Sequence, residues 1–152
     1  SVLRGGANLG GDVLIADWRC DWVGMGLAEK LVLEGHRVRL AVNGPHAGYN
    51  LQMYLRDAWT ARLHKLGVEV IPNARIYGVD GDTAYLVHTV SGEAIPQEGV
   101  ETVVLATGQA PATALEKQLK DVGRPAHLVG DCLSPRTAEE AVYEGFAIAR
   151  DL

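Results

Sequence analysis

Apolar and polar positions along this chain follow two periods, and the switches between them outline the fold. Asp12 to Asp17 (DVLIAD) has an apolar centre between carboxylates and predicts a short buried strand. Trp22 to Glu34 repeats Val23, Leu27 and Leu31 at helical spacing, and Gly35 follows as a terminator. His36 to Val42 alternates Val38, Leu40 and Val42, a second strand. Leu51 to Leu66 reads as a second helix stopped by Gly67, and Val68 to Ile71 as a third strand ahead of Pro72-Asn73. Period two then takes over. Ile76 to Val79, the turn Asp80-Gly81-Asp82 and Ala84 to Val90 predict a hairpin, and Ser91-Gly92 turns into a short strand near Ala94 to Pro96. Glu101 to Ala106 is a continuous apolar strand ending in Thr107-Gly108. A helix over Ala112 to Asp121, a strand over Ala126 to Val129 and a helix from Ser134-Pro135 to the chain end complete the pattern. Ser at a cap with Pro at the first helical position supports that last start.

The order β-α-β-α-β, antiparallel strands, β, α, β, α predicts an α/β fold. It is a Rossmann-like doubly wound parallel sheet with an antiparallel β-meander insertion. In such sheets ligands bind beyond the strands' C-terminal ends. Two turns fall there. Thr107-Gly108-Gln109 follows one apolar strand, although a tight turn after a buried strand would look the same. Gly130-Asp131 follows another: Gly130 lets backbone approach a ligand, and Asp131 offers an acceptor to a ribose or ribityl hydroxyl.

Composition narrows the function classes. At 152 residues the chain is one domain, or one and a fragment. A net charge of −5 argues against nucleic acid and anionic membrane as partners, since both require a basic face. No apolar run approaches the ~20 residues that span a bilayer, and SVLRGGANLG lacks the apolar stretch of a signal peptide, so a cytoplasmic location is expected. Cys20 and Cys132 form no Cys-x-x-Cys or Cys/His cluster, so no metal site is expected, and a disulfide is not expected in a reducing compartment. The five histidines are scattered, without metal-ligand spacing or a neighbouring nucleophile, and no catalytic residue is assigned.

The closing run GDC-x-x-PRT-x-x-EA-x-x-EG, from Gly130 to Gly145, resembles the C-terminal region of the NADH:flavin oxidoreductases related to 2,4-dienoyl-CoA reductase and trimethylamine dehydrogenase. The meander before TVVLATG likewise resembles the NAD(P)H-binding domain of disulfide-reductase-type flavoproteins, which is inserted within an FAD domain. The resemblance covers the chain from Val2 on. It implies an NAD(P)-binding-like Rossmann domain over residues 1–122, and the closing strand and helix of the FAD/ADP-binding half over 123–152. It also implies that Thr107, Gly108, Gln109, Gly130 and Asp131 lie by the ADP or FAD of that other half.

Aligned on Leu27-Ala28-Glu29 and Gly35-His36, the three glycines of the family's G-x-G-x-x-G turn fall on Arg19, Asp21 and Gly24, so only the helix-packing glycine remains. Asp21 would place a carboxylate where pyrophosphate meets the helix N-terminus, and Trp18 and Trp22 would fill the ligand's space. The second strand ends in Ala41-Val42-Asn43-Gly44, without the acid that holds an NAD ribose. Arg37 and Arg39 are expected to face solvent. Tyr49 to Tyr54 is expected in core or interdomain packing, and Arg136 in a surface pair with Glu139 or Glu140.

A turn of this kind is similar to that of the trimethylamine and histamine dehydrogenase members, which use no nicotinamide here. The resemblance implies a C-terminal nucleotide-binding-like domain of a larger FMN-dependent amine dehydrogenase or demethylase, mainly structural and inactive alone. FMN and an iron–sulfur cluster would sit in an N-terminal barrel that also binds a small amine or enoyl substrate. Two alternatives stay open: a functional NAD(P)H-binding domain of a 2,4-dienoyl-CoA reductase-like enzyme, binding pyrophosphate by the backbone of the Trp18–Gly24 turn alone, and a non-enzymatic interaction domain.

Overall fold

A computed structural model describes residues 2–151, and the chain divides into two compact units, Ser1–Gly108 and Gln109–Leu152.

In the first unit, β1 (Asp12–Asp17), β2 (Arg37–Val42), β3 (Glu69–Ile71) and β7 (Thr102–Ala106) form a parallel sheet in the order β3-β2-β1-β7. The chain winds outward from β1 to β3 and returns to the other side of β1, pairing Asp17 with Ala106. The strand order therefore reverses between β1 and β7, the place where such folds open a ligand crevice.

Alternation along the strands decides what covers each face. Val13 and Ile15 of β1 and Val38, Leu40 and Val42 of β2 point to one side. There they bury Met25, Leu27, Ala28 and Leu31 of α1 (Trp22–Leu33) and Leu63 of α2 (Met53–Lys65). Leu14 and Ala41 point to the other side and pack on Ala74, Ala84 and Leu86 of an antiparallel sheet: β4 (Ala74–Asp80), β5 (Thr83–His88) and β6 (Ala94–Gln97). Both faces of the parallel sheet are thus covered, which is why its strands read as near-continuous apolar runs.

Arg39 departs from the sequence expectation. It is 6% exposed, donates to the Glu98 carbonyl at 2.9 Å and pairs with Asp12 at 3.1 Å. β2 is interior, so its second face looks at the meander rather than at water. Only Arg37, at the strand's start, is exposed.

The second unit holds α3 (Ala114–Asp121), a single 3-10 turn at Gly130–Cys132 and α4 (Ala138–Asp151). The strand expected over Ala126 to Val129 does not form. A strand needs a neighbour for its N–H and C=O groups, and no strand lies among the described residues of this unit. The last helix starts at Ala138 rather than near Ser134. The Thr137 hydroxyl and the Glu140 carboxylate contact each other, and Glu140 accepts the Thr137 N–H at 3.0 Å, one half of a capping box. The Thr137 contact holds the Glu140 carboxyl below the usual range.

Candidate functional site

The turn after β1 stands where a dinucleotide's phosphates would meet the first helix, and two carboxylates of the chain itself fill it. Asp17, fully buried at the end of β1, accepts the Arg19 N–H at 3.0 Å and the Cys20 N–H at 2.9 Å on one oxygen. Cys20 has φ 51°, so two successive N–H groups converge into a concavity of the kind that holds anions. Here the anion is Asp17. One residue beyond, Asp21 caps α1: it accepts the Val23 N–H at 2.9 Å and pairs with Arg19 at 2.6 Å. The positive end of α1 therefore faces a carboxylate already in place.

Gly24, the third residue of α1, packs hard on β1. A Cβ there would come within 2.2 Å of the Asp17 carboxylate and 2.8 Å of its Cβ. The glycine is needed for helix–strand approach, as the spacing implied, but the group it admits is Asp17. The other Asp17 oxygen is buried without a partner. Burial pushes this carboxyl up to about 6, against the lowering pull of the Cys20 and Arg19 amides. Burial also raises the Cys20 thiol, whose sulfur accepts the Gly44 N–H at 3.2 Å.

The rim is aromatic. Trp18 is 41% and Trp22 59% exposed, and the Arg75 guanidinium lies 5.5 Å from the Trp18 ring centre. The Trp18 N–H extends β1 by one rung, donating to Ala106 across the point where strand order reverses. Asn50 donates its backbone N–H to the Cys20 carbonyl at 3.0 Å, so the loop after β2 leans on the same turn. Tyr49 and Tyr54 are exposed and lie outside the core. Thr107 and Gly108 close β7; Gly108 has φ 146°, a conformation that favours glycine, with open space where a Cβ would stand.

In the second unit, Gln109 is exposed in the chain leading to α3. Gly130 has φ 60°, is buried, and an added Cβ would lie 3.1 Å from Ala141 of α4. Its close approach is thus to the chain's own helix. Asp131 is exposed and has no partner among the described residues. Arg136 pairs with Glu144 rather than with Glu139 or Glu140. Glu144 lies one turn beyond Glu140 on the same face of α4. Cys132 is exposed.

Sequence reasoning placed Asp21 and Gly24 but missed Asp17 and Glu144. Asp17 carried one available signal: an acid closing an apolar strand two residues before a turn. Among the described residues no His/Cys/Asp/Glu group is placed to hold a metal, and no helix is long and apolar enough to cross a membrane.

No protein-family model matches the chain. Solved structures do. Histamine dehydrogenase from Rhizobium sp. 4-9 superposes with a TM-score of 0.79 at 20% identity, over 95% of this chain and 23% of that one. The 6-hydroxypseudooxynicotine amine oxidase of Pseudomonas geniculata N1 does so at 0.83 and 21%, over 95% and 22%. A 2-naphthoyl-CoA reductase follows at 0.78 and 22%, over 99% and 22%. All three are oxidoreductases by name, and this chain spans less than a quarter of each. At these identities the common property is the fold, a Rossmann-like arrangement of a parallel sheet with an antiparallel meander.

Proposed function

We propose that this chain is the C-terminal nucleotide-domain-like region of a larger FMN-dependent oxidoreductase of the amine dehydrogenase or demethylase type, and that its own role there is structural. The observation that carries this reading is the occupied phosphate turn. The converging amides of Arg19 and Cys20 are satisfied by Asp17, and the α1 N-terminus is capped by Asp21. A nicotinamide dinucleotide would need to displace two anions with a third, so these residues do not fit one. That weighs against the reading in which the Trp18–Gly24 backbone alone binds pyrophosphate.

Support for a larger parent comes from the coverage. The chain matches its structural neighbours along nearly its whole length while spanning less than a quarter of theirs. In that parent, FMN and an iron–sulfur cluster in an N-terminal barrel would supply the redox chemistry. A small amine, or an enoyl compound, would be the substrate. In the second unit Asp131 fits an ADP or FAD contact, because an exposed carboxylate without an internal partner can accept a ribose or ribityl hydroxyl.

Titration of the purified chain with NADH, NADPH, ADP and FAD by calorimetry tests the reading, with Trp18 and Trp22 fluorescence as a second probe. Nicotinamide nucleotides are expected not to bind, and any ADP or FAD binding is expected to weaken in Asp131→Ala. Saturable micromolar binding of NADH or NADPH overturns it.

A further inference from the structure

One side chain holds the Gly130–Cys132 turn onto α4. The Glu144 carboxylate accepts the Gly130 N–H at 2.7 Å through one oxygen and contacts the Arg136 guanidinium through the other. Its side chain is only 15% exposed. Ala141, three residues earlier and on the same helix face, lies against the Cα side of Gly130. Ala141 thus sets how close the turn comes to the helix, and Glu144 sets how the turn is rotated. The rotation matters because Gly130 has φ 60°, where its N–H points away from the path of a regular strand and needs its own acceptor. The next residue is Asp131: the Gly130 carbonyl leading into it accepts the Leu133 and Ser134 N–H groups at 2.9 Å, so with the Gly130 N–H held by Glu144 the peptides on both sides of Gly130 are fixed.

We propose that Glu144 is a positioning residue for the Gly130-Asp131 turn. By fixing the Gly130 amide, its carboxylate fixes the direction in which Asp131 presents its own carboxylate to a nucleotide hydroxyl. This rests on the reading of Asp131 as a ribose or ribityl acceptor. In this role Glu144 acts through the turn. Arg136, the one Lys or Arg in the sequence between Gly130 and Ala138, is held by Glu144.

Amide exchange at Gly130, followed by NMR on the full chain, tests the proposal together with ADP titration. In Glu144→Ala the Gly130 amide is expected to exchange about tenfold faster or more, the equivalent of about 1.4 kcal/mol, and ADP affinity to fall by a similar factor. Glu144→Gln keeps an acceptor oxygen and is expected to restore both. Asp131→Ala is expected to lose ADP while Gly130 keeps its protection. Unchanged Gly130 exchange in Glu144→Ala overturns the proposal, as does wild-type ADP affinity in that variant, or failure of Glu144→Gln to restore protection. If the unaltered chain binds no ADP, the nucleotide reading fails and the role given to Glu144 fails with it. Failure of the inference alone would instead appear as ADP binding that ignores Glu144.

Discussion

The two units of this chain carry similar hydrophobic patterns and use them differently. In the first, α1 buries Met25, Leu27, Ala28 and Leu31 against a sheet whose central strands are almost wholly inaccessible. In the second, α3 and α4 bury no residue, and Val142, Tyr143 and Phe146 stand exposed along α4, Phe146 at 67%. Amphipathic spacing says that a helix has an apolar face; it does not say whether the opposing surface is in the same unit. The first unit therefore supplies its own core, whereas the second gains little stability from burial.

Mutations should separate the units sharply. Leu31→Ala leaves a hole in a closed core and is expected to cost about 2–5 kcal/mol in denaturant unfolding. Phe146→Ala is expected to change stability by no more than about 0.5 kcal/mol. Equal losses at the two positions would mean that α4 is covered in solution.

Asp17 gives the first unit a pH signature opposite in direction to that of Glu140 in the second. Its folded pKa of about 6 lies above the ordinary 3.8, so the folded state binds this proton more tightly than the unfolded one. The stability that protonation provides is present below pH 3.8, declines as pH rises, and is gone above about 6. The span is about 3 kcal/mol at 1.36 kcal/mol per unit. Asp17→Asn is expected to flatten that slope in unfolding experiments between pH 4 and 6, and an unchanged slope would assign the titration elsewhere.

Glycine substitutions sharpen the contrast further. Gly24→Ala drives a methyl into the Asp17 carboxylate and is expected to cost about 1–3 kcal/mol. Gly130→Ala meets Ala141 at 3.1 Å at a left-handed φ and is expected to cost about 1–2 kcal/mol, confined to exchange within the second unit. A local effect is expected of Thr137→Ala, about 1 kcal/mol of fraying at the start of α4, read by amide exchange.

Legibility followed the same division. The strand–helix alternation of the first unit was readable because each period ends at a turn residue such as Gly35 or Gly67, and both sheet faces are filled from within. Arg39 was misplaced because strand alternation assigns a residue to a face without saying that the meander covers it. Asp21 was readable as an anion at a helix start. Asp17 was not, since nothing in an apolar run ending in Asp tells which amides curl back onto that acid. The missing strand over Ala126 to Val129 shows the limit most plainly. Its apolar pattern is real, but pairing is a property of two strands, and the sequence presents only one.

The pairing of β1 with β7 also sets a clock. Val13 meets Thr102, so a ribosome making this chain must add about ninety residues before the partner of β1 exists. At roughly 5–20 residues per second that is an interval of about 4–18 s. Through it β1 has β2 on one side and an open, strongly apolar edge on the other, the kind that recruits strands from other molecules. The meander, made of neighbours in sequence, can form during this wait, and β7 then closes the sheet as the last strand to arrive.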